Sequence, residues 1–338
     1  MTEHVGRRPG WDCAVCGRAW PCAPAKAELT AEHRGQQPAL VVFLGSCMLA
    51  AIDDCVEGDL FERFLGWASH DPIRTVTDKF DTGVAHPARR YNYWLGGKDN
   101  FAADRESGDL LAQSYPAARI AARANRAFLG RAVRYVASEA GVRQFLDIGT
   151  GLPTADNTHE VAQRVAPSSK IVYVDNDPMV MAHARALLTS TPSGETRYLE
   201  EDLRHPAKIL SSASSVLDFS QPVGLILVAV VHFLPSQDES LSIVESLLDA
   251  LAPGSHLIAT MATTDLLTPS LRANWDESLR TGRSDVYPRT RDEFAAYFSG
   301  LSLVSPGITP VADWRPDPDA DEHPTPVEAS IFGAVGRK

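Results

Sequence analysis

The stretch Gln144-Phe145-Leu146-Asp147-Ile148-Gly149-Thr150-Gly151 decides the fold expected for this chain. Its first five residues form a short, mostly apolar run that ends in a turn, which predicts a buried strand. Gly149 and Gly151 permit backbone conformations and close ligand approaches that side chains would block. Because open α/β sheets bind ligands at the carboxyl ends of their strands, we expect a ligand site at this loop.

Helices and strands alternate after the loop. Helices are predicted at 154–165, 178–188 and 238–251, and strands at 170–174, 196–199, 223–230 and 255–261. This alternation predicts a parallel, doubly wound α/β sheet. The last two predicted strands, at 302–310 and 329–336, have no helix between them. They therefore predict an antiparallel terminal strand pair that closes the sheet.

Acidic residues follow the second and third predicted strands. Asp175, with Asn176 beside it, is placed to accept hydrogen bonds from two ribose hydroxyls. Asp202, with the Leu203 backbone beside it, is suited to the amino group of an adenine. Because the carboxyl ends of parallel strands meet at one edge of a sheet, these residues predict an adenosine-binding site.

A dinucleotide site would share the glycine loop and the first acid. Its fingerprint requires a third glycine for close packing of helix on strand, whereas this chain has Pro153 and Thr154 there. A sulfonium ligand such as S-adenosylmethionine needs no phosphate cradle, so the loop favours it over a dinucleotide. The alternative of a mere tight turn does not explain the acids after both following strands.

Four motifs carry a resemblance to a known family. They are His86-Pro87-Ala88-Arg89-Arg90-Tyr91-Asn92-Tyr93-Trp94-Leu95-Gly96-Gly97-Lys98-Asp99-Asn100-Phe101, the loop continued from Asp147 to Thr154, Asn157 to Ala162, and Tyr173 to Pro178. From about Asp78 to Lys338 the chain resembles the actinobacterial S-adenosyl methyltransferase family, whose substrates are largely undefined. The resemblance implies a class I methyltransferase (Rossmann-like) fold with the segment from Tyr91 to Asn100 packed over the cofactor pocket.

The segment before the sheet has two interpretations. Gly97 and Lys98 would contact the methionine part of the cofactor. Tyr91 and Tyr93 would line the acceptor pocket, and Tyr93 would take part in catalysis. Alternatively, the segment is a glycine-capped helix end that packs on the sheet. The predicted cofactor-binding residues are Asp147, Gly149, Thr150, Gly151, Asp175, Asn176, Asp202, Leu203, Val230, Gly97 and Lys98.

His232 follows the fourth predicted strand and is the candidate general base. A base is needed only where the methyl acceptor must lose a proton, and a neutral imidazole is available near pH 7. The alternative is that His232 packs against the adenine or the strand end. An Asn-Pro-Pro-Tyr run, typical of amide or base nitrogen acceptors, does not follow this strand. The sequence thus favours oxygen or nitrogen of a small molecule as acceptor.

Bulk properties limit the partners and the location. The 338 residues carry a formal net charge of −11, which disfavours binding to nucleic acid or to anionic membranes. An apolar run at 39–51 is too short to span a bilayer, and no secretory signal is predicted. We therefore expect a cytoplasmic protein.

A small cysteine-containing module, mainly helical, is predicted at 1–70, followed by a linker at 71–85. The catalytic domain at 86–338 would comprise a helical extension at 86–140 and the Rossmann-like core at 141–338. Cys13, Cys16 and Cys22 in the module are candidate ligands of a structural zinc ion. Two alternatives to a zinc site are that the cysteines are simple buried thiols or that they are redox-active.

A tetrahedral zinc site needs a fourth ligand. His4, His33, Cys47 and Cys55 are the candidates, and none stands at a characteristic spacing. The module itself is expected to serve recruitment or regulation through a protein partner. The alternative to an enzyme is a non-catalytic protein that senses S-adenosylmethionine or its demethylated product. In that case the N-terminal module would contact the protein partner.

Overall fold

The computed structural model describes residues 4–32, 40, 44–45, 47–48, 51, 54, 56, 60–65, 81–154, 156–180, 191, 193–318 and 323–338. The chain divides into two compact units, residues 1–81 and 82–338. The division falls within the linker predicted at 71–85. No helix of the described ranges has the length and apolar character needed to cross a bilayer.

The first unit contains a short hairpin as well as helices. Strands β1 (Gly6–Arg7) and β2 (Asp12–Cys13) pair antiparallel, and α1 (Ala23–Glu32) and α2 (Leu60–Phe64) follow. The sequence predicted the helical character but not the hairpin, because two-residue strands leave no periodic pattern.

An aromatic cluster forms the core of this unit. The rings of Trp11, Trp20 and Phe64 lie 5.4–5.9 Å apart and all three are buried. The guanidinium of Arg63 donates hydrogen bonds to the carbonyls of Trp11 and Trp20, which satisfies polar backbone beside the rings.

The second unit is built on one mixed sheet. Its strands are β3 (Gln144–Ile148), β4 (Lys170–Asp175), β5 (Glu195–Glu200), β6 (Gly224–Leu227), β7 (His256–Ala262), β8 (Ser302–Leu303), β9 (Thr309–Pro310) and β10 (Ile331–Arg337). The order is β5-β4-β3-β6-β7-β10-β8, with β9 also paired to β10. Strands β3 to β7 are parallel, and β10 is antiparallel to its three partners. This confirms the predicted class I methyltransferase fold.

Helices cover both faces of the sheet. They are α3 (Pro87–Trp94), α4 (Ala102–Ser114), α5 (Ala118–Ser138), α6 (Thr158–Val165), α7 (Pro206–Ala213), α8 (Gln237–Asp249), α9 (Pro269–Arg280), α10 (Arg291–Ala295) and α11 (Pro326–Ala329). Along β3, Leu146 and Ile148 join the core on one face and Phe145 the core on the other. This period-2 alternation explains why the strand is buried throughout.

Some predicted boundaries are wrong for local reasons. Helix α6 begins at Thr158 rather than 154, because Asn157 forms a capping box with Glu160. The fourth strand ends at Leu227, since Ala229 has a φ of 55° that a strand cannot continue. The predicted strand at 302–310 is two separate strands, β8 and β9. The predicted helix at 178–188 lies mostly outside the described residues.

Candidate active site

A cavity of about 230 Å³ opens at the carboxyl ends of β3 to β7 in the second unit. Residues from α3, α4, α5 and α9 cover it. The predicted residues that line it are Asp147, Gly149, Thr150, Gly151, Asp175, Asn176, Asp202, Leu203, Val230 and His232. The sequence therefore identified most of the polar wall of this cavity.

The glycine loop turns sharply at its first glycine. Gly149 has a φ of 74°, and a Cβ atom there would collide with the side chain of Val230. Gly151 has a φ of 68°, and no atom lies within 4 Å of the position that its Cβ would take. Glycine at 149 thus permits close packing against Val230 in the segment after β6, and the position of a Cβ at 151 is open space.

Asp175 connects this loop to the loop after β4. One carboxylate oxygen accepts a hydrogen bond from the backbone N–H of Gly151 at 2.8 Å, and the other accepts from Asp177 at 3.0 Å. The side chain is buried, and burial raises the pKa of Asp175 above its usual value. A carboxylate has about four lone-pair positions, so each oxygen keeps one to offer a ligand hydroxyl.

The loop after β5 forms the next part of the wall. One oxygen of Asp202 accepts from the Arg204 backbone N–H at 2.8 Å, and the other accepts from the Asn176 side chain at 3.3 Å. The buried Leu203 adds an apolar surface beside them. A flat ring that also carries an amino group would find both an apolar contact and an acceptor here.

Asp147 is buried directly behind the glycine loop. Its carboxylate accepts a hydrogen bond from the Thr158 hydroxyl at 2.6 Å. Burial raises the pKa of Asp147 to about 6, although the Thr158 hydrogen bond and the charge of Arg126 oppose that rise. The charge of Asp147 is therefore sensitive to a cation placed in the cavity.

His232 lies in a short 3-10 helix, Val231–Phe233, directly after β6. Burial lowers the pKa of His232 to about 4, so its ring is neutral near pH 7. Its Nδ1 atom accepts a hydrogen bond from the Ala262 backbone N–H at 3.4 Å. In a neutral ring with an accepting Nδ1, the proton is on Nε2. This arrangement favours a hydrogen-bond donor at Nε2 over a base.

Helix α3 is fixed to the cofactor edge by ion pairs. The Nδ1 atom of His86 lies 3.0 Å from a carboxylate oxygen of Asp177. Arg89 lies 3.3 Å from Asp104 and 3.5 Å from Asp177. His86 and Arg89 hold the pKa of Asp177 below its usual value, although burial opposes this. The distinctive motif that begins at His86 thus braces the loop that carries Asp175.

The segment from Leu95 to Gly97 forms a glycine-capped helix end, which was one of the two interpretations of the sequence. Gly96 has a φ of 83° and donates to the Tyr93 carbonyl at 3.1 Å. Gly97 donates to the Asn92 carbonyl at 2.9 Å, which completes a Schellman motif. A Cβ at 97 would collide with the Asn92 side chain, so this glycine serves packing.

Three of the predicted site residues, Tyr93, Gly97 and Lys98, are not among the residues that line the cavity. Gly97 packs on Asn92, and Lys98 is exposed. The Tyr93 hydroxyl donates to Asp109 at 2.9 Å, and Arg119 lies over its ring. We propose no cofactor-binding or catalytic role for the three.

The sequence missed an aromatic part of the cavity. Trp94, Tyr115, Phe233 and Trp275 line it, and all four belong to one apolar cluster. The helical spacing of Tyr91 and Trp94 on α3 was a usable signal, since both line the cavity. Nothing local in the sequence indicates that Tyr115 and Trp275 meet, with ring centroids 5.6 Å apart.

Arg90 is a second residue that the sequence missed. It is buried beside the cavity, donates to the Ser107 hydroxyl at 3.1 Å and pairs with Asp285. Its side chain also lies over the Trp94 ring, with 5.6 Å to the centroid. Arg90 therefore stabilises the aromatic part of the cavity wall.

The second unit is similar to two solved structures. A DUF574 family protein from Streptomyces avermitilis MA-4680 is 43% identical, with a TM-score of 0.72, and the match covers 76% of this chain and 99% of that one. A candidate methyltransferase from Thermobifida fusca YX is 39% identical, with a TM-score of 0.69, covering 80% and 99%. Among curated proteins none matches this chain.

A mixed sheet in this strand order, with a cavity at the carboxyl ends of its parallel strands, is the architecture of a class I methyltransferase. A family model described as S-adenosyl methyltransferase matches residues 74–338. The chain therefore belongs to the S-adenosyl methyltransferase family, and S-adenosylmethionine is its methyl donor.

The position of Asp147 generates a pH-dependence prediction. S-adenosylmethionine carries positive charge on its sulfonium and ammonium groups, so its binding favours the ionised carboxylate and lowers the pKa of Asp147 from about 6. We expect the affinity to fall by about tenfold between about pH 7 and about pH 5, with proton release on binding. Calorimetry in buffers of different ionisation enthalpy measures both.

The variant Asp147→Asn is the control for this prediction. It can keep the Thr158 hydrogen bond and cannot ionise, so its loss of affinity over the same range should be clearly smaller than that of the wild type. An unchanged pH slope in Asp147→Asn would assign the effect to another group.

Proposed function

We propose that the protein transfers the methyl group of S-adenosylmethionine to an oxygen or nitrogen atom of a small, largely apolar molecule. One observation carries the proposal: a single cavity combines a polar wall suited to adenosine with an aromatic wall formed by Trp94, Tyr115, Phe233 and Trp275. A concave site lined by aromatic and apolar side chains with a few polar groups is typical of small-molecule binding.

The order of the strands supports a division of the cavity. The carboxyl ends of β5, β4 and β3, with the loops that follow them, carry Asp202, Asp175 and Gly151. These three would bind adenine, ribose and the methionine part in turn. His232 in the segment after β6 and Ala262 at the end of β7 lie next to the aromatic wall. The acceptor would therefore lie over β6 and β7, with the reacting atoms near His232.

Catalysis by this site would rest on alignment. Bound S-adenosylmethionine supplies a methyl group already activated by its sulfonium. The protein then has to hold an acceptor atom in line behind that methyl group and exclude water, which the apolar wall achieves. His232 would orient the acceptor by donating its Nε2 proton. The base role predicted from the sequence remains a prediction that the variants below test.

The first prediction concerns Asp175. Asp175→Ala should weaken S-adenosylmethionine binding by about 100-fold or more, because each hydrogen bond to a charged group contributes about 1.5–3 kcal/mol. Asp175→Asn should lose less affinity, since asparagine keeps the shape of the aspartate side chain and one acceptor oxygen. Calorimetry with S-adenosylmethionine and with its demethylated product measures the loss.

Asp249→Ala, on the exposed end of α8, is the matched control and should bind as the wild type does. Thermal melts of all variants separate loss of binding from loss of fold. Wild-type affinity in a folded Asp175→Ala variant would refute the assignment of Asp175 to the ribose.

The second prediction separates two roles of His232. Glutamine can donate from its amide N–H₂ but cannot act as a base at neutral pH. If His232 is a donor, His232→Gln should keep kcat/KM within about threefold, while His232→Ala should lose about 10- to 100-fold. Release of demethylated cofactor in the presence of a small-molecule extract provides the assay.

Both variants should bind S-adenosylmethionine with unchanged affinity. If His232→Gln is as inactive as His232→Ala, the base role is supported and the donor role fails. If both variants are fully active, His232 has no part in the reaction.

The third prediction concerns the aromatic wall. Trp275→Leu should raise the acceptor KM by about tenfold through lost aromatic contact, without changing S-adenosylmethionine affinity. Trp314→Leu is the matched control, because Trp314 is also a buried tryptophan but does not line the cavity. An equal rise of KM in both variants would indicate general destabilisation instead of acceptor binding.

A further inference from the structure

Four potential metal ligands converge in the first unit. The ligand atoms of His4, Cys13, Cys16 and Cys22 all lie within 4.8 Å of one another. The His4 Nδ1 atom is 3.2 Å from the Cys13 sulfur and 3.4 Å from the Cys22 sulfur. Only Cys16 of the four is exposed, while Cys13 and Cys22 are buried.

The Cys13–Cys16 turn has the geometry of a metal-binding knuckle. Gly17 follows it with a φ of 66°, and its N–H donates to the Cys13 carbonyl at 2.9 Å. The Cys13 N–H donates to the Arg18 carbonyl at 2.7 Å, which closes the turn. Backbone N–H groups of Val15 and Cys16 form hydrogen bonds with the Cys13 sulfur.

Two further contacts hold His4 against this turn. Its carbonyl accepts a hydrogen bond from the Trp20 indole N–H at 2.7 Å. Its backbone N–H donates to the Glu28 carboxylate at 3.2 Å. Antiparallel pairing of Gly6 with Cys13 brings the start of the chain alongside the turn. His4 is thus placed by the fold rather than by its distance along the sequence.

We propose that His4, Cys13, Cys16 and Cys22 bind one zinc ion. Tetrahedral zinc with Zn–S distances of about 2.3 Å and Zn–N distances of about 2.0 Å separates its ligand atoms by about 3.5–3.8 Å. The His4–Cys13 and His4–Cys22 separations of 3.2 and 3.4 Å are close to these values. No other separation in the cluster exceeds 4.8 Å, so side-chain shifts of about 1 Å would admit the ion. Because the protein supplies all four ligands, the site is structural and leaves no position for a substrate.

In a unit as small as the first one, a zinc ion would stabilise the fold. A small domain with one aromatic cluster as its core gains much of its stability from a cross-link such as a metal. Here the ion would join the hairpin of β1 and β2 to the start of α1, because Cys22 directly precedes that helix. The role is independent of methyl transfer in the second unit.

Metal analysis of the full chain tests the proposal. Protein produced with zinc supplementation and treated with a weak chelator should hold about one zinc per chain. Replacement of zinc by cobalt should give the visible absorption of tetrahedral Co²⁺ with thiolate ligands. Cys16→Ser and His4→Ala should each reduce the zinc content to less than about a tenth of wild type after the same treatment.

Cys47→Ser is the matched control, since Cys47 is a free cysteine outside the cluster, and it should retain full zinc. Cys16→Ser is the most informative variant because Cys16 is exposed and its loss leaves the packed core intact. Far-ultraviolet circular dichroism of each variant verifies the fold of the second unit.

Three results would overturn the proposal. One is a folded, fully reduced wild type that binds neither zinc nor cobalt. Another is a disulfide between two of the three cysteines in protein kept under reducing conditions. The third is full zinc retention in His4→Ala with loss in Cys16→Ser, which would remove His4 from the ligand set.

Discussion

Two hydrogen bonds to one buried carboxylate organise the cofactor edge of this protein. Asp175 accepts from Gly151 and from Asp177, and so joins the loops that follow β3 and β4. Asp177 in turn is paired with His86 and Arg89 at the start of α3. Because breaking a buried ion pair leaves an uncompensated charge, this chain of contacts holds the helices over the cavity firmly. The aromatic wall depends on it, since α3 carries Trp94.

The sequence predicted the sheet and the polar wall because both follow from local rules. The first strand ends in a glycine loop, and an acid follows each of the next two strands. When such strands are parallel neighbours, the loop and the acids lie together at one edge of the sheet. The position of Tyr93 outside the cavity lining has a different origin. Which face of α3 meets the sheet depends on tertiary contacts, and Tyr91, which was predicted to line the acceptor pocket, occupies the cavity face together with Trp94.

The cysteine cluster shows the same dependence on tertiary contacts, because the sequence alone did not identify His4 as its fourth potential ligand. Spacing rules for metal sites assume that ligands come in pairs close in sequence, as Cys13 and Cys16 do. His4 stands nine residues before Cys13 and reaches the cluster only through the pairing of β1 with β2. That pairing involves two residues in each strand, too few for a pattern of alternating burial.

The tautomer of His232 constrains the chemistry that this cavity can support. The Nδ1 atom accepts a hydrogen bond from the Ala262 N–H. For Nε2 to act as a base, the ring proton would have to be on Nδ1, where it would face that N–H donor. Burial in an apolar environment also disfavours the imidazolium that a base would become. If His232 is a donor, as we propose, an acceptor methylated here would lose its proton without help from this ring. Phenol-like hydroxyls and neutral amines meet that condition, since a phenol ionises readily and an amine can release its proton after transfer. Aliphatic hydroxyls do not, because their deprotonation needs a base in contact with them.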